Sequence, residues 1–379
     1  MTFLKTSIHC IFVLFLTACT IDRPNIDIPV FSHGFISEQI VSKEEETPRS
    51  VSEISFSSLT GALDQPTSII MVGDVMLARN VEYLMKKNGY SYPFEGVSFD
   101  NLSPSPLVVG NFEAAILKKH VYTKPNQLKF SVDKKLLVAL DNAGFTHFSL
   151  ANNHSTYQNE NTFLYTKEKL EEVNLETFGD PRSLNGESIE LLHVNDHTVA
   201  LVGLQIIDRI LSEAEVRTIF KKATEMSDMQ IAYVHWGIEY KTESSETQQR
   251  VGRQLVEAGA DLVVGHHPHV TQEIGFVDGV PIIYSLGNYI FDQYFSSEVQ
   301  QGLILNIDLS KQTPEVRLLP VTSNETLSQP RLMTPQDATS FLAELSAKSS
   351  ESIADFVNAG VLPLYMSFAT STKIAIMSR

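Results

Sequence analysis

The sequence predicts an α/β fold, a layered β-sandwich flanked by helices, and three observations carry that expectation. Short apolar runs rich in β-branched residues recur along the chain, each ending abruptly in acidic, amide or imidazole side chains. The stretches between them have helical spacing and helix-forming residues. Each polar cluster lies on the carboxyl-terminal side of its run, the edge at which α/β sheets collect ligands.

In chain order, residues 68–72 lead into Gly73-Asp74, and residues 106–109 into Gly110-Asn111-Phe112-Glu113. Residues 146–150 lead into Ala151-Asn152-Asn153-His154, and residues 231–234 into His235-Trp236-Gly237. Residues 261–264 lead into Gly265-His266-His267-Pro268-His269, and residues 282–284 into Ser285-Leu286-Gly287-Asn288. Continuous apolar runs of this length fit strands covered on both faces. Helices are expected over 133–143, 162–173, 213–226 and 246–258, the last stopped by Gly259.

Composition narrows the chemistry. The 379 residues are 43% hydrophobic and 20% charged, ordinary for a globular chain. The formal charge of −16 repels nucleic acid, so no nucleic-acid partner is expected. Cysteine occurs only at Cys10 and Cys19, so a metal site further along must use His, Asp, Glu or Asn.

At the N-terminus, Lys5 precedes an apolar stretch over 8–16, too short to span a bilayer and suited to a secretory leader. The stretch ends in Leu16-Thr17-Ala18-Cys19, which resembles the lipobox of bacterial lipoproteins. That resemblance implies removal of residues 1–18 and lipidation of Cys19, with the protein anchored to a membrane of the cell envelope without spanning it. Thr20 stands where an aspartate would signal inner-membrane retention, so the outer membrane is the expected destination in a Gram-negative cell. Residues 19–66 are polar and irregular and read as a tether. The main domain is expected over 67–325, and a helical extension over 326–379.

Brought to one edge, the clusters offer Asp74, Glu113, Asn153, His154, His235, His267 and His269. This nitrogen and oxygen set suits Mn, Fe or Zn. Two divalent ions about 3.5–4 Å apart need roughly this many ligands. Taken singly, Asp74 could cap a helix and His235 could be a hydrogen-bonded core histidine; the run from His266 to His269 is the most specific signal. His120, His147, His193 and His197 lack such context and read as ordinary surface or core residues.

These clusters, in this order, resemble the CapA family of poly-gamma-glutamate capsule synthesis proteins, a branch of the calcineurin-like metallophosphoesterases. The resemblance covers roughly residues 68–310. It rests on Gly73-Asp74-Val75-Met76-Leu77, Asn111-Phe112-Glu113, Ala151-Asn152-Asn153-His154-Ser155, His235-Trp236-Gly237-Ile238-Glu239-Tyr240, Gly265-His266-His267-Pro268-His269 and Tyr284-Ser285-Leu286-Gly287-Asn288-Tyr289-Ile290-Phe291-Asp292-Gln293. It implies a calcineurin-like fold, Asp74, Glu113, Asn153, His235, His267 and His269 as ligands to two metal ions, and His154 as general acid. Asn152, His266 and Asn288, in the same clusters, are the expected substrate contacts. Tyr157 and Asn159 depart from the family, which usually has an aspartate and a glycine there.

The expected function is that of an envelope lipoprotein in the synthesis, export or anchoring of poly-gamma-glutamate. Either it is a metal-dependent hydrolase of a phosphoester or amide-type linkage, or it is a non-catalytic polymer-binding or export protein on the same fold. Capsule synthase or export membrane proteins are the expected partners. Lys118, Lys119, Lys124, Lys129, Lys134 and Lys135 form a basic run that is either a solvated face or a guide for an anionic polymer or phosphoester substrate.

Overall fold

The computed structural model describes residues 65–156, 159–311 and 314–364. The expected leader, Cys19, nearly all of the tether, Tyr157 and residues 365–379 lie outside the described residues.

The first half of the chain supplies β1 (Ser68–Val75), α1 (Arg79–Asn88), β2 (Leu107–Phe112), β3 (His147–Ser149), α2 (Glu160–Glu171), β4 (Glu176–Phe178), β5 (Ile189–Val194) and β6 (His197–Gln205). The second half supplies α3 (Glu213–Met226), β7 (Met229–His235), α4 (Glu246–Ala258), β8 (Leu262–His266), β9 (Ile274–Val277), β10 (Val280–Ile283), β11 (Asn288–Ile290), β12 (Gln301–Asp308), β13 (Glu315–Thr322) and α5 (Pro335–Lys348).

Two mixed sheets result. One runs β13-β12-β1-β2-β3-β4, with β1 to β4 parallel and β11 alongside the end of β1. The other runs β9-β10-β8-β7-β6-β5, its four inner strands parallel and both edges antiparallel.

The pleat sorts side chains into layers, because successive residues of a strand point to opposite faces. Ile69 and Met71 of β1 join Leu201, Ile231, Tyr233 and Val264 in a cluster shared by both sheets. Ile70 and Val72 belong to a second cluster with Val81 and Met85 of α1 and Phe163 and Leu170 of α2. Ala232 and Val234 of β7 belong to a third with Phe220 of α3 and Leu255 of α4. Helices therefore cover the outer face of each sheet, the layered arrangement the sequence predicts. Each fully buried Leu, Ile or Val contributes roughly 1.5–3 kcal/mol to holding the layers together.

Local signals set the helix ends. Ser212 and Glu215 form a capping box on α3, and Ser245 and Gln248 form one on α4. Gly259, with φ of 112°, ends α4 in a left-handed conformation. Asn159 caps α2 by accepting a hydrogen bond from the Thr162 amide. The helix expected over 133–143 is instead a turn, Lys134–Leu136, followed by the short helix Val138–Asn142.

The helical stretch expected past residue 325 is built into the body of the protein through residue 364. Leu342 and Leu345 of α5 join Ile353, Val357 and Leu362 in the cluster shared by the sheets. Val361–Pro363 adds an antiparallel strand to β13.

Candidate metal centre

Strand register brings the polar clusters together. Asp74 at the end of β1 pairs with Asn111 of β2 and with Asn288 of β11, and His266 of β8 pairs with His235 of β7. Parallel strands that end at the same level deliver their carboxyl-terminal residues to one edge. Two glycines permit the close approach. A β-carbon on Gly73 would sit 2.0 Å from the Gly287 carbonyl oxygen, and one on Gly265 would sit 2.0 Å from that of Tyr284. His267 and His269, on the loop after β8, have φ of 96° and 61°. Left-handed backbone at a non-glycine residue costs on the order of 1–3 kcal/mol and concentrates at functional sites.

The side chains meet in a buried cluster. His235 Nε2 lies 2.9 Å from Asn153 Oδ1 and 3.1 Å from His267 Nδ1. His269 Nδ1 lies 3.3 Å from Asp74 Oδ2, and its Nε2 lies 3.5 Å from Glu113 Oε1. His154 Nε2 is also 3.5 Å from Glu113 Oε1. Asp74 and Glu113 are wholly buried. Two sets of three ligand atoms in this cluster stand within 4.8 Å of one another, Glu113 with His267 and His269, and Asp74 with Glu113 and His235. Glu113 is common to both. Glu82, His120 and Asp133 form a third such set among the described residues.

This donor set fits a metal ion. Glu113 Oε1 is buried with no hydrogen-bond partner, although a buried carboxylate oxygen normally has one. Burial, then the neighbouring Asp74 carboxylate, hold the Glu113 carboxyl well above the usual range, with His269 opposing. Burial also pushes Asp74 up, but the hydrogen bond and charge of His269 outweigh it and leave it below the ordinary value. Burial and the charge of His269 lower His267 to about 4, and burial and His267 lower His235. Neutral imidazoles of this kind keep the lone pair a metal needs. His269 differs: burial lowers it, yet Glu113 and Asp74 raise it to about 9. Its proton supplies, between the two carboxyl groups, the positive charge a metal ion would supply.

The three expected substrate contacts are buried within the protein. Asn152 is wholly buried, its amide donating to Asn111 Oδ1 and the Phe112 carbonyl and its oxygen accepting from the His154 amide. Asn288 Oδ1 lies 3.0 Å from His269 Nδ1, while its amide donates to Gln293 Oε1 and the Val299 carbonyl. His266 is buried and stacks on Tyr233 at 4.1 Å. Asn152 and Asn288 thus hold His154 and His269 from behind.

Asn111 is the member of the site that sequence reasoning missed. Its amide nitrogen lies 2.8 Å from Asp74 Oδ1, 3.2 Å from His235 Nδ1 and 3.5 Å from Glu113 Oε2. The available signal was its place in Asn111-Phe112-Glu113, two positions from a ligand.

His154 stands at the edge of the cluster, stacked on Phe130 at 4.2 Å. Burial and the charges of His269 and His267 lower it to about 3. It lines a cleft of about 590 Å³ together with Asn153, His269, Arg79 and Tyr240. None of the six lysines of the basic run lines this cleft; Lys118 and Lys119 line a separate cavity of about 470 Å³ beside Tyr165.

Fold and cluster together define a layered α/β protein with a buried His, Asp, Glu and Asn centre of metal-binding type. The chain belongs to the family described as bacterial capsule synthesis protein PGA_cap, which matches residues 68–293, more than half of its length. It is 30% identical over 262 residues to the capsule biosynthesis protein CapA of Bacillus anthracis. That match covers 64% of this chain and 64% of the relative, less than two-thirds of the relative's own length. To the PGA biosynthesis protein CapA of Bacillus subtilis (strain 168) it is 28% identical over 257 residues, covering 64% of this chain and 67% of that protein. Among solved structures, a novel phosphatase from Mycoplasma pneumoniae aligns over 70% of this chain and 90% of its own, with 13% identity and a TM-score of 0.42. A hypothetical protein from Thermus thermophilus aligns over 70% and 98%, with 14% identity and a TM-score of 0.40. Likeness at that level carries no functional inference.

Proposed function

We propose that this protein is a metal-dependent hydrolase of the bacterial envelope acting in the synthesis, export or anchoring of a poly-gamma-glutamate capsule. The observation that supports it most is Glu113, buried, lacking a hydrogen-bond partner on one oxygen, and common to two ligand sets. In this reading Asp74, Glu113, Asn153, His235, His267 and His269 hold two divalent ions, Mn, Fe or Zn. When bound, the ions would supply Lewis acidity toward a phosphoryl or amide carbonyl oxygen.

The chain's own residues account for the rest. Asn111 and Asn288 fix the rings and carboxyl groups that bind metal, as outer hydrogen bonds do at such centres. His154 lines the cleft where a general acid would stand. It is held neutral in the free protein, so it would have to take up a proton together with the anionic substrate before Nε2 donates it to the leaving oxygen or nitrogen. Phe130, stacked on its ring, excludes water from one face.

Metal analysis of the purified protein, followed by turnover of a phosphodiester and of poly-gamma-glutamate with added manganese, tests this reading. His267→Ala is expected to lose bound metal. His154→Ala is expected to keep metal and lose turnover. A protein without metal, whose function survives His267→Ala, refutes it.

The lipobox resemblance supports a lipid anchor at Cys19, with an envelope location and, in a Gram-negative cell, the outer membrane. Capsule synthase or export membrane proteins are then the natural partners. A non-catalytic polymer-binding role on the same fold is favoured by the departure at Asn159, whose side chain is spent on capping α2. Capsule retention that depends on Cys19 and not on His154 would select that second role.

A further inference from the structure

Arg79 lines the cleft, and the metal centre does not explain its placement. It opens α1 after the three residues 76–78 that follow β1, with φ of 53°, a conformation most non-glycine residues avoid. Its side chain is 8% exposed. The surroundings hold it there. The guanidinium pairs with Asp292, 213 residues further along the chain. The second Asp292 oxygen accepts from the Asn80 amide at 3.1 Å, capping α1 where Ala78 has no side chain to do so. Phe130 and Phe291 carry the guanidinium carbon 4.5 and 5.6 Å from their ring centres.

Asp292 balances the charge of Arg79 but not its hydrogen bonds. A guanidinium has five N–H donors in a planar fork. Asp292 takes one from Nη2, and Nε is buried without a partner. An orphaned buried donor costs on the order of 1–3 kcal/mol. Capping α1 requires only the Asp292 carboxylate, so a helix cap leaves this fork unexplained. The same Phe130 ring that packs on Arg79 also stacks on His154, which ties the guanidinium to the reactive edge of the centre.

We propose that Arg79 is a substrate-binding residue that takes a second oxyanion, a carboxylate or a phosphate, of the molecule whose reacting group sits at the ligand cluster. Glu239, an exposed carboxylate, lines the same cleft. The position of the reacting group rests on the metal-dependent reading above; the anion subsite does not.

Isothermal titration of the manganese-loaded protein with phosphonoacetate, methylenediphosphonate and ethylphosphonate tests the proposal. The first or second is expected to bind about ten-fold more tightly than ethylphosphonate, and the one that does so identifies carboxylate or phosphate as the recognised group. Arg79→Lys keeps a positive charge opposite Asp292 and is expected to retain the melting temperature while losing that advantage. Equal affinities in the wild type, or an advantage that survives in Arg79→Lys and Arg79→Gln, overturn it. In a second arm, the metal-free protein is titrated with tri-γ-glutamate and with pyrophosphate. Binding of either that weakens about ten-fold in Arg79→Lys supports the subsite even where no phosphonate binds, a result that counts against the metal reading alone. Absence of binding in both arms, or binding insensitive to Arg79, overturns the subsite itself.

Discussion

Replacing Glu113 by glutamine separates a metal centre from a merely buried polar cluster. Glu113 belongs to both ligand sets, so one neutral amide weakens both. A metal ion at about 100 times its dissociation constant stabilises the folded state by ~2.7 kcal/mol. Domains of about 150–250 residues shift by roughly 2–4 °C per kcal/mol. At the lower end of that range, fitting for a longer chain, the wild type is expected to melt ~5 °C higher with manganese than with chelator. Glu113→Gln is expected to lose most of that shift. Without metal the order reverses. Burial and Asp74 make the ionised Glu113 unfavourable where it stands, so the variant is expected to be at least as stable as the wild type. Differential scanning calorimetry on both proteins, with and without metal, reads both effects. A variant that keeps the full metal shift, or that is markedly less stable than the wild type in chelator, refutes the assignment.

Three further outcomes follow from particular contacts. Asn288→Ala removes one hydrogen-bond partner of His269 and is expected to weaken metal affinity 10–100-fold, on the order found for such outer contacts; an unchanged dissociation constant would count against that role. Gly265→Ala brings a β-carbon to 2.0 Å from the Tyr284 carbonyl oxygen and 2.4 Å from Trp236 Nε1, so backbone must move; a loss of about 3 kcal/mol or more is expected in denaturant unfolding, and wild-type stability would refute the packing. His147, away from the centre, is lowered by burial from 6.5 to about 4. Its folded form therefore binds fewer protons than its unfolded form, and stability is present above pH 6.5 and lost as pH falls towards 4, by up to roughly 3 kcal/mol. His147→Gln should flatten the stability profile in that window, and a slope identical to that of the wild type would show that the group does not titrate as described.

Much of the fold is legible in the sequence because strand patterning and helix capping are local. The runs at 68–72, 231–234 and 261–264 are strands, and α3 and α4 begin and end where Ser212, Ser245 and Gly259 direct. The short helix Val138–Asn142 departs from the longer one that spacing predicts. Past residue 325 the helical pattern is readable, whereas the packing of Leu345 and Val357 into the shared cluster is not, since that depends on partners far away in sequence.

By itself, then, the sequence determined the layered class, the edge on which function would sit, and the chemical types gathered there. Residue type and position at a strand end are local properties, and Asp74, Glu113, Asn153, His235, His267 and His269 lie in one cluster. Tertiary structure alone decided how they share the work. It put Glu113 in both ligand sets, made Asn111 the donor between Asp74 and His235, and turned the amides of Asn152 and Asn288 inward. It also joined Arg79 to Asp292 across 213 residues. Hydrogen-bond geometry at a buried site is fixed by strand register and loop closure, which bring together groups that no local pattern relates.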